Sequence, residues 1–329
     1  MKKVFVTGAD GMLGSSICRE LLNQGYEVKA MCLPDRKTNT LANLPIEIIH
    51  GSIDRKDFLL AEMKDCHYVI HVAALVKVWP RRMSCINEVN LMGTRHVMEV
   101  VAELKMKRMI HIGTANSFAF GTKEEPGDES GSFDGWRYGM DYIDSKYKAQ
   151  QMLLRQFNKN GFPVVIINPT YMIGPFDSGP SSGQMLIALC KGLLKFYCKG
   201  GKNFVCSVDV AKAAVNALTK GVIGECYIAG NQNMEFKEFF YKACRIINKE
   251  FKMRPAPYPM VLLTGIVSSL LARITGKPPK ISYSMAKMVK ENQYFSAEKA
   301  RRVLEMPQTP IEEGIIQCIE WFKTNKYLS

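Results

Sequence analysis

The sequence contains no Cys-x-x-Cys pair, no internal repeat and no low-complexity tract among its 329 residues. The ten cysteines are scattered, and several lie inside apolar segments, where a free thiol behaves as a small hydrophobic side chain. This distribution argues against a disulfide framework and predicts a reduced, cytoplasmic protein. The missing repeats and biased tracts exclude solenoid and disordered classes. No metal site is predicted.

Long apolar runs are also lacking. The residues after Met1 do not predict a signal peptide, because a short apolar stretch leads directly into glycines. The longest apolar run, 260–272, is interrupted by Thr264, Gly265 and two serines. It is shorter than the roughly 20 residues that a membrane-spanning helix requires, so no span is expected.

Strands and helices alternate through the first half of the chain. The patterns predict strands at 3–7, 27–33, 46–50, 68–72, 108–112, 164–168 and 226–229, and helices at 12–23, 89–104, 142–157 and 208–218. This order predicts an α/β fold, a Rossmann-type doubly wound parallel sheet, with a smaller and mostly helical C-terminal substrate lobe. We expect the dinucleotide domain over 1–170, rejoined by 203–229, and the lobe over 171–202 and 230–329.

The first predicted strand leads into three regularly spaced glycines, Gly8, Gly11 and Gly14. Gly8 permits a tight turn, Gly11 lets the backbone approach a pyrophosphate, and Gly14 allows close helix–strand contact. The following helix offers free N–H groups to phosphates. The position at the start of a βαβ pattern favours a dinucleotide site over glycines that serve only helix packing. The neighbouring turn residues expected to contact the cofactor are Asp10, Met12 and Leu13.

The end of the second predicted strand bears on the choice between NAD and NADP. An acidic residue there would bind the ribose hydroxyls and favour NAD. The strand end has no acid, and Arg36 with Lys37 stands where a 2′-phosphate would be met, whereas Asp35 argues for NAD. The balance favours NADP, and NAD remains the alternative.

Tyr142 and Lys146 open the predicted helix at 142–157, and their i,i+4 spacing places them on one face. A free tyrosine has a pKa of ~10, and a nearby ammonium lowers it by ~1–3 units. Tyr142 then serves as a general acid/base at a carbinol or carbonyl oxygen. An isolated pair of this spacing is usually an ordinary surface feature, but its place after the fifth strand favours catalysis. A third polar group is expected among Thr114, Asn116 and Ser117.

Together these features resemble the extended short-chain dehydrogenase/reductase family over nearly the whole chain. The resemblance implies that Ala73 and Ala74 pack on the cofactor, that Asn90 belongs to an asparagine motif in the fourth helix, and that Pro169 and Thr170 lie beside the nicotinamide. The segments 274–279 and 294–300 look most like the dihydroflavonol-reductase and 3β-hydroxysteroid-dehydrogenase branch.

Three positions depart from that family's pattern. Ser52 stands where an adenine-contacting aspartate is usual, and Ser52 and Ile53 are still expected among the cofactor contacts. Leu33 replaces the branch's NADP-binding arginine. Asn116 occupies the place of the catalytic serine, so Thr114 or Ser117 has to substitute, or the site works with an amide.

Three functions are compared. The leading hypothesis is hydride transfer between nicotinamide and a secondary alcohol or ketone of a hydrophobic small molecule. The first alternative is a nucleotide-sugar epimerase or dehydratase that retains its cofactor, and the second is a non-enzymatic dinucleotide sensor, which would normally lack Tyr142 or Lys146. An apolar substrate is favoured by large side chains of the lobe and its borders, although most of these would serve equally as core: Phe118, Phe120, Trp136, Tyr171, Met172, Phe176, Met185, Phe196 and Tyr197.

The expected partners are a small-molecule substrate and a second copy in a homodimer, and no nucleic acid. The formal charge of +13 fits either lysines on solvated faces or attraction to an anionic ligand or membrane. The region 245–302 is rich in Lys and Arg and has Val267, Leu270, Leu271 and Ile274 at helical spacing. Its apolar face is expected to cover the substrate pocket, with at most weak, salt-sensitive peripheral membrane contact.

Overall fold

The computed structural model describes residues 2–77, 79, 83–279 and 281–328. Strands and helices are numbered in chain order. The main sheet has seven strands, all parallel: β1 (Lys3–Thr7), β2 (Glu27–Cys32), β3 (Glu47–His50), β4 (Tyr68–His71), β5 (Arg108–Ile112), β6 (Val164–Pro169) and β10 (Cys226–Ala229).

Two small sheets lie outside the main one. The first contains β7 (Tyr171–Ile173), β9 (Gly201–Cys206), β11 (Gln232–Glu235) and β13 (Asn292–Gln293), and the second pairs β8 (Phe196–Cys198) with β12 (Arg254–Ala256). The α-helices are α1 (Met12–Asn23), α2 (Lys56–Met63), α3 (Ser84–Asn87), α4 (Thr94–Glu103), α5 (Asp141–Asn160), α6 (Gln184–Cys190), α7 (Ser207–Asn216), α8 (Phe236–Ile246), α9 (Tyr258–Thr275), α10 (Tyr283–Met288), α11 (Glu298–Leu304) and α12 (Ile311–Thr324).

The strand order of the main sheet is β3-β2-β1-β4-β5-β6-β10. The chain winds outward in one direction from β1 to β3 and in the other from β4 onward, so the order reverses between β1 and β4. In open α/β sheets a ligand binds at the carboxyl ends of the strands at this reversal. The Rossmann-type prediction is confirmed, and the topology directs attention to the loops after β1 and β4.

The sheet core explains why its strands are apolar on both faces. Alternate residues of a strand point to opposite faces. Val4 and Val6 are buried in one cluster with Ile17 of α1, whereas Phe5 between them is buried in the other cluster with Val97 of α4. Helices therefore cover both faces, as they do in parallel sheets.

The structure differs from the expected elements in two places. The helix predicted over 89–104 is interrupted by a π-helical turn at Glu88–Gly93 before α4 begins. Gly93 gives space to Ile53, since a Cβ at Gly93 would lie 2.4 Å from the Ile53 side chain. The stretch from 170 to 207, for which the patterns predict neither strand nor helix, contains β7, α6, β8 and β9. These short strands pair with segments that are distant in sequence, and they are too short for a local periodicity to predict them.

Two histidines lie side by side in the middle of the main sheet. His71 of β4 and His111 of β5 are register partners, and their ring centroids are 5.5 Å apart. The His71 ring contacts the hydroxyls of Thr7 and Thr94 at 2.8 and 3.0 Å. Burial, with the charge of Lys146 adding to it, lowers the pKa of His71 to about 3 and that of His111 well below its ordinary value. Both rings are therefore neutral in the folded protein.

The buried histidines make the protein sensitive to acid. Below a pH of about 6.5 these two histidines bind protons in the unfolded chain but not in the folded chain. The free energy of unfolding therefore falls as the pH falls. We expect His111→Leu to weaken this dependence, because the variant lacks one of the two groups that bind a proton only in the unfolded chain. The ring nitrogens of His111 have no hydrogen-bond partner within the described chain, so the substitution breaks no such bond. Per pH unit below about 6.5, the unfolding constant of the wild type should rise roughly tenfold more than that of the variant. Urea titrations at several pH values measure both slopes, and parallel slopes would contradict the assignment.

Candidate active site

The glycine turn follows β1 and meets the loop after β4. Gly8 has a φ of +64°, and a Cβ there would lie 2.8 Å from the Ala73 backbone. A Cβ at Gly14 would lie 2.1 Å from the carbonyl oxygen of Gly8. A Cβ at Gly11 would meet only that same carbonyl oxygen, at an ordinary 3.5 Å. The fold itself therefore requires glycine at positions 8 and 14, whereas at Gly11 it leaves open space.

The N-terminus of α1 faces this open space. Gly11 is its N-cap, and no side chain caps the helix. The first N–H groups of a helix have no intrahelical partner, and the helix dipole favours an anion there. Leu13 is buried in the core, so only its backbone is available to a ligand, whereas Asp10 and Met12 are half-buried. This end of α1 fits a pyrophosphate.

The segment after β2 forms the rim of the same region. Leu33 is exposed, and a turn closed by the Arg36 N–H and the Leu33 carbonyl follows it. The exposed Arg36 side chain extends to Gly179 in the loop after β7. Ile53 is buried, whereas Ser52 is half-buried. Arg36 is thus an exposed cation just beyond the carboxyl end of β2.

Asn90 connects the loop after β4 to the helix that carries the catalytic candidates. Its side-chain oxygen accepts from the Leu75 N–H at 2.7 Å, and its amide nitrogen lies 3.2 Å from the Leu75 carbonyl oxygen and 3.0 Å from Ser145 Oγ. The Thr7 hydroxyl accepts from the Val72 and Ala73 N–H groups, each at 3.1 Å. The loop beside Ala73 and Ala74 is therefore held from both sides.

Tyr142 and Lys146 lie on the first turns of α5, as the spacing predicts. The Lys146 ammonium donates to the Ile112 carbonyl at 2.6 Å, and burial lowers its pKa to about 8. Burial raises the pKa of Tyr142, and the nearby Thr114 hydroxyl opposes that effect without reversing it. The expected lowering of the Tyr142 pKa is wrong for this structure, because burial outweighs the favourable contact. The phenol is accordingly protonated at neutral pH.

Of the three candidates for the third polar group, the structure brings Thr114 to Tyr142. The Thr114 hydroxyl also accepts from the Asn116 N–H at 3.3 Å, and the Asn168 amide donates to the Thr114 carbonyl at 3.0 Å. Asn116 lines the same cleft as Thr114. Ser117 is buried on the other side, where it borders a separate pocket.

A cleft opens beside Thr114 and brings together residues from distant parts of the chain. It is lined by Thr114, Ala115, Asn116, Pro169, Thr170, Tyr171, Lys202, Asn203, Gln293 and Phe295. The expected neighbours Pro169 and Thr170 are therefore present, and the Thr170 hydroxyl donates to Asn203 at 2.8 Å.

Lys202 also lines this cleft, and the sequence patterns did not identify it as a site residue. Its ammonium donates to the Gln293 side chain at 2.6 Å and lies 5.1 Å from the Tyr171 ring centroid. Burial lowers its pKa to about 8. The sequence offered one indication of this residue, namely a lysine at the start of the apolar strand β9. No local pattern predicted that β9 would pair with β13, which carries Gln293.

Most of the large apolar side chains proposed to line a substrate pocket instead pack in the hydrophobic core. Phe118 is buried in the main core, and Met185 and Tyr197 pack in the core between β9, α8 and α12. Trp136 is exposed. Tyr171 is the member of that set that lines the cleft beside Thr114. The core interpretation of these residues is therefore correct for most of them.

A parallel sheet of this order, with an open glycine turn at its reversal and a half-buried tyrosine one helical turn from a buried lysine, is typical of a nucleotide-cofactor enzyme. Residues 4–230 match the NAD dependent epimerase/dehydratase family, and the chain belongs to that family. It is an NAD(P)-dependent enzyme of the extended short-chain dehydrogenase/reductase type, and a nicotinamide cofactor follows from that membership.

Individual relatives match over almost their full length. A putative dihydroflavonol 4-reductase from Synechocystis sp. is 26% identical, with 98% of this chain and 95% of the relative covered. Sterol demethylase protein B from Methylococcus capsulatus is 24% identical, with 97% of both covered. A nucleoside-diphosphate-sugar epimerase structure from Pseudomonas aeruginosa superposes with a TM-score of 0.81 at 22% identity, covering 100% of this chain and 99% of the other. This superposition shows that the chain has the same fold as that structure.

Proposed function

We propose that the protein transfers hydride between a nicotinamide and a secondary alcohol or ketone of a hydrophobic small molecule of steroid-, flavonoid- or aldehyde-like type. The observation that carries this proposal is that the Thr114 hydroxyl lies near the Tyr142 phenol and that Thr114 lines the cleft. Two hydroxyls so placed give a carbonyl oxygen a proton donor and a second hydrogen bond. The names of the reductase and sterol-demethylase relatives support this substrate class.

In the reducing direction Tyr142 acts as the general acid. Because burial raises its pKa, it carries its proton at neutral pH and donates it to the carbonyl oxygen as negative charge develops there. Thr114 orients the phenol and polarises the same oxygen. The nicotinamide, when bound, supplies the hydride. We assign Lys146 to binding of the cofactor ribose, and the side-chain amide of Asn116 to a supporting hydrogen bond at the reacting oxygen. Ser117 borders a different pocket and takes no part in the reaction.

The cofactor contacts follow from the geometry of the loops at the sheet reversal. The pyrophosphate would lie against Gly11 and the end of α1, and the adenine side near Ser52 and Ile53. Ala73, Ala74 and Asn90 would form the loop beneath the dinucleotide. We propose NADP as the preferred form, because the exposed Arg36 side chain stands just beyond the end of β2, where a 2′-phosphate would be met.

Cofactor choice is testable at Arg36. Arg36→Ala should weaken NADP binding and hardly affect NAD binding, because only NADP offers a 2′-phosphate dianion to the guanidinium. A charge-assisted hydrogen bond contributes about 1.5–3 kcal/mol, so the NADP affinity should fall at least about tenfold. Calorimetric titration with both cofactors measures the ratio. Arg155→Ala, at an exposed arginine in the second half of α5, is the matched control, and equal losses for NAD and NADP at Arg36 would remove the preference.

A second candidate function is nucleotide-sugar epimerisation or dehydration with a retained cofactor. The observation in its favour is Lys202, a half-buried cation in the cleft whose ammonium donates to a neutral amide. A substrate with an anionic group would provide the missing counter-charge. The fold similarity to a nucleoside-diphosphate-sugar epimerase is compatible with this candidate.

An absorbance screen separates the two candidates. The purified protein is mixed with reduced cofactor and then with ketosteroids, flavonoid ketones, aldehydes and nucleotide sugars. Net loss of reduced-nicotinamide absorbance with an apolar ketone or aldehyde supports the first proposal. Isomerisation or dehydration of a nucleotide sugar without net absorbance change would replace it by the second.

We also propose a division of the chain in which 1–170 and 203–229 form the dinucleotide domain and 171–202 with 230–329 form the substrate lobe. The pairing of β10 with β6 supports the return of the chain to the main sheet. Ten free thiols support a reducing, cytoplasmic setting. A homodimer completes the proposal, and gel filtration with light scattering tests it.

A further inference from the structure

Helix α9 is apolar along its length yet packs few of its side chains into the protein. It is the one helix of the described chain that is long and apolar enough to cross a membrane, and 17% of its residues are buried. Its outward side chains include seven large apolar ones that are exposed: Met260, Leu263, Ile266, Val267, Leu270, Leu271 and Ile274. We call this set the α9 stripe. It does not line the cleft beside Thr114, so the expectation that this face covers the pocket is not met there.

The inward side of α9 explains why the stripe faces outward. Its buried residues are Val261, Gly265 and Ala272, and a Cβ at Gly265 would lie 2.7 Å from Ala286 of α10. Small side chains therefore bring α9 close to α10. The spacing of the stripe, from Leu263 in steps of three and four, keeps it on the opposite face. The large apolar side chains of the stripe are therefore exposed on the side of α9 that faces away from α10.

The surroundings of the stripe carry charge of one sign. From residue 251 to 290 the sequence has no Asp or Glu and seven basic residues: Lys252, Arg254, Arg273, Lys277, Lys280, Lys287 and Lys290. Lys280 lies outside the described residues. Arg273 is in the last turn of α9, and the ammonium of Lys290 lies 5.3 Å from the ring centroid of Tyr258 at its first turn. An apolar stripe with cations at both ends matches a surface that is negatively charged above an apolar interior.

We propose that α9 lies in the interface of an anionic lipid membrane, with the α9 stripe inserted at the boundary between headgroups and acyl chains. An amphipathic helix with basic flanks binds such a boundary through apolar burial and attraction to anionic lipid. A second copy of the chain is the poorer occupant, because it would bring an identical basic face against this one.

The contacts of α9 also favour lying in the membrane surface over spanning the bilayer. Ser268 Oγ donates to the Ile281 carbonyl, and the Tyr283 N–H donates to Ser269 Oγ at 2.9 Å. These bonds fasten α9 to the start of α10, and a spanning orientation would require them to break. The interfacial orientation leaves the main sheet outside the lipid.

A vesicle sedimentation assay on the full chain tests the proposal without any substrate or cofactor. We expect binding to phosphatidylcholine vesicles that contain phosphatidylglycerol at low salt, and release at high salt because counterions screen the attraction. Pure phosphatidylcholine should bind much less protein. Arg273→Glu with Lys277→Glu should weaken binding by at least about fivefold for each charge removed.

The apolar contribution is tested with Leu270→Asp plus Ile274→Asp, two exposed positions where the fold tolerates a charge. The matched control is Val222→Asp plus Leu193→Asp, which makes the same change at exposed apolar residues outside α9. Circular dichroism verifies that both variants fold. The proposal requires loss of binding in the first variant and retention in the control.

Three results would overturn the proposal. The first is no binding to anionic vesicles at low salt, and the second is equal binding by the α9 and control variants. The third is self-association that the α9 variant abolishes while vesicles bind nothing, since this would assign the stripe to a second copy. None of these outcomes depends on the hydride-transfer function.

Discussion

Replacing Tyr142 by Phe should lower kcat/KM by ~10²–10⁴-fold, which is the range that general acid/base catalysis contributes. The substitution removes one hydroxyl near Thr114, and the half-buried ring remains packed against the cluster of Tyr138, Met140 and Ile143. Cofactor affinity should stay within about twofold of wild type, because the phosphate contacts lie at the glycine turn. Steady-state kinetics with a substrate from the absorbance screen, together with a cofactor titration, measure both quantities.

Tyr147 provides a matched control on the same helix. Its ring stacks on Phe133 at a centroid distance of 4.0 Å, and it borders the pocket on the Ser117 side. Tyr147→Phe makes the same chemical change one turn away and should retain nearly full activity. If Tyr142→Phe kept more than about a tenth of the wild-type rate, the general-acid assignment would be wrong.

Replacing Gly11 by Val should abolish dinucleotide binding and leave the fold intact. The backbone at Gly11 has a φ of −76°, which any residue adopts, and a Cβ there meets only the Gly8 carbonyl oxygen at 3.5 Å. The added methyls would then occupy the space left for the pyrophosphate. Loss of two charge-assisted hydrogen bonds corresponds to a fall in affinity of about a hundredfold or more. Calorimetry and a thermal melt report the affinity and the fold separately.

Gly14 gives the opposite expectation and so separates a ligand-binding glycine from a packing glycine. A Cβ at Gly14 would lie 2.1 Å from a backbone oxygen, and neither side of that contact is a flexible side chain. Gly14→Ala should therefore lower the melting temperature, whereas Gly11→Val should not. Unchanged cofactor affinity in Gly11→Val would refute the assignment of this turn to the pyrophosphate.

The same comparison shows how far the sequence alone leads. The spacing of three glycines after an apolar strand predicts the turn and a separate role for each glycine. The packed structure adds the contacts, since neighbouring backbone atoms leave no room for a Cβ at Gly8 and Gly14 and leave room for one at Gly11. The contact at Gly8 depends on residues distant in sequence, because Ala73 is brought to Gly8 by β4, the strand that pairs with β1.

The sequence by itself determined the features that depend on local order along the chain. Alternating apolar segments and helical periodicity predicted the main-sheet strands within a residue or two, the helix α1, and the Tyr142–Lys146 pair on one face of α5. These signals are local, because strand and helix periods repeat over a few residues. The short strands after Pro169 lacked such a signal.

Tertiary structure decided what depends on residues distant in sequence. It joined Lys202 to Gln293 through the pairing of β9 with β13, selected Thr114 over Ser117 as the partner of Tyr142, and raised the Tyr142 pKa by burial. It also turned the apolar residues of α9 outward, because Gly265 lies against Ala286 of α10. Burial and charge environment are properties of the packed molecule, and a helical period indicates that an apolar face exists but not what covers it.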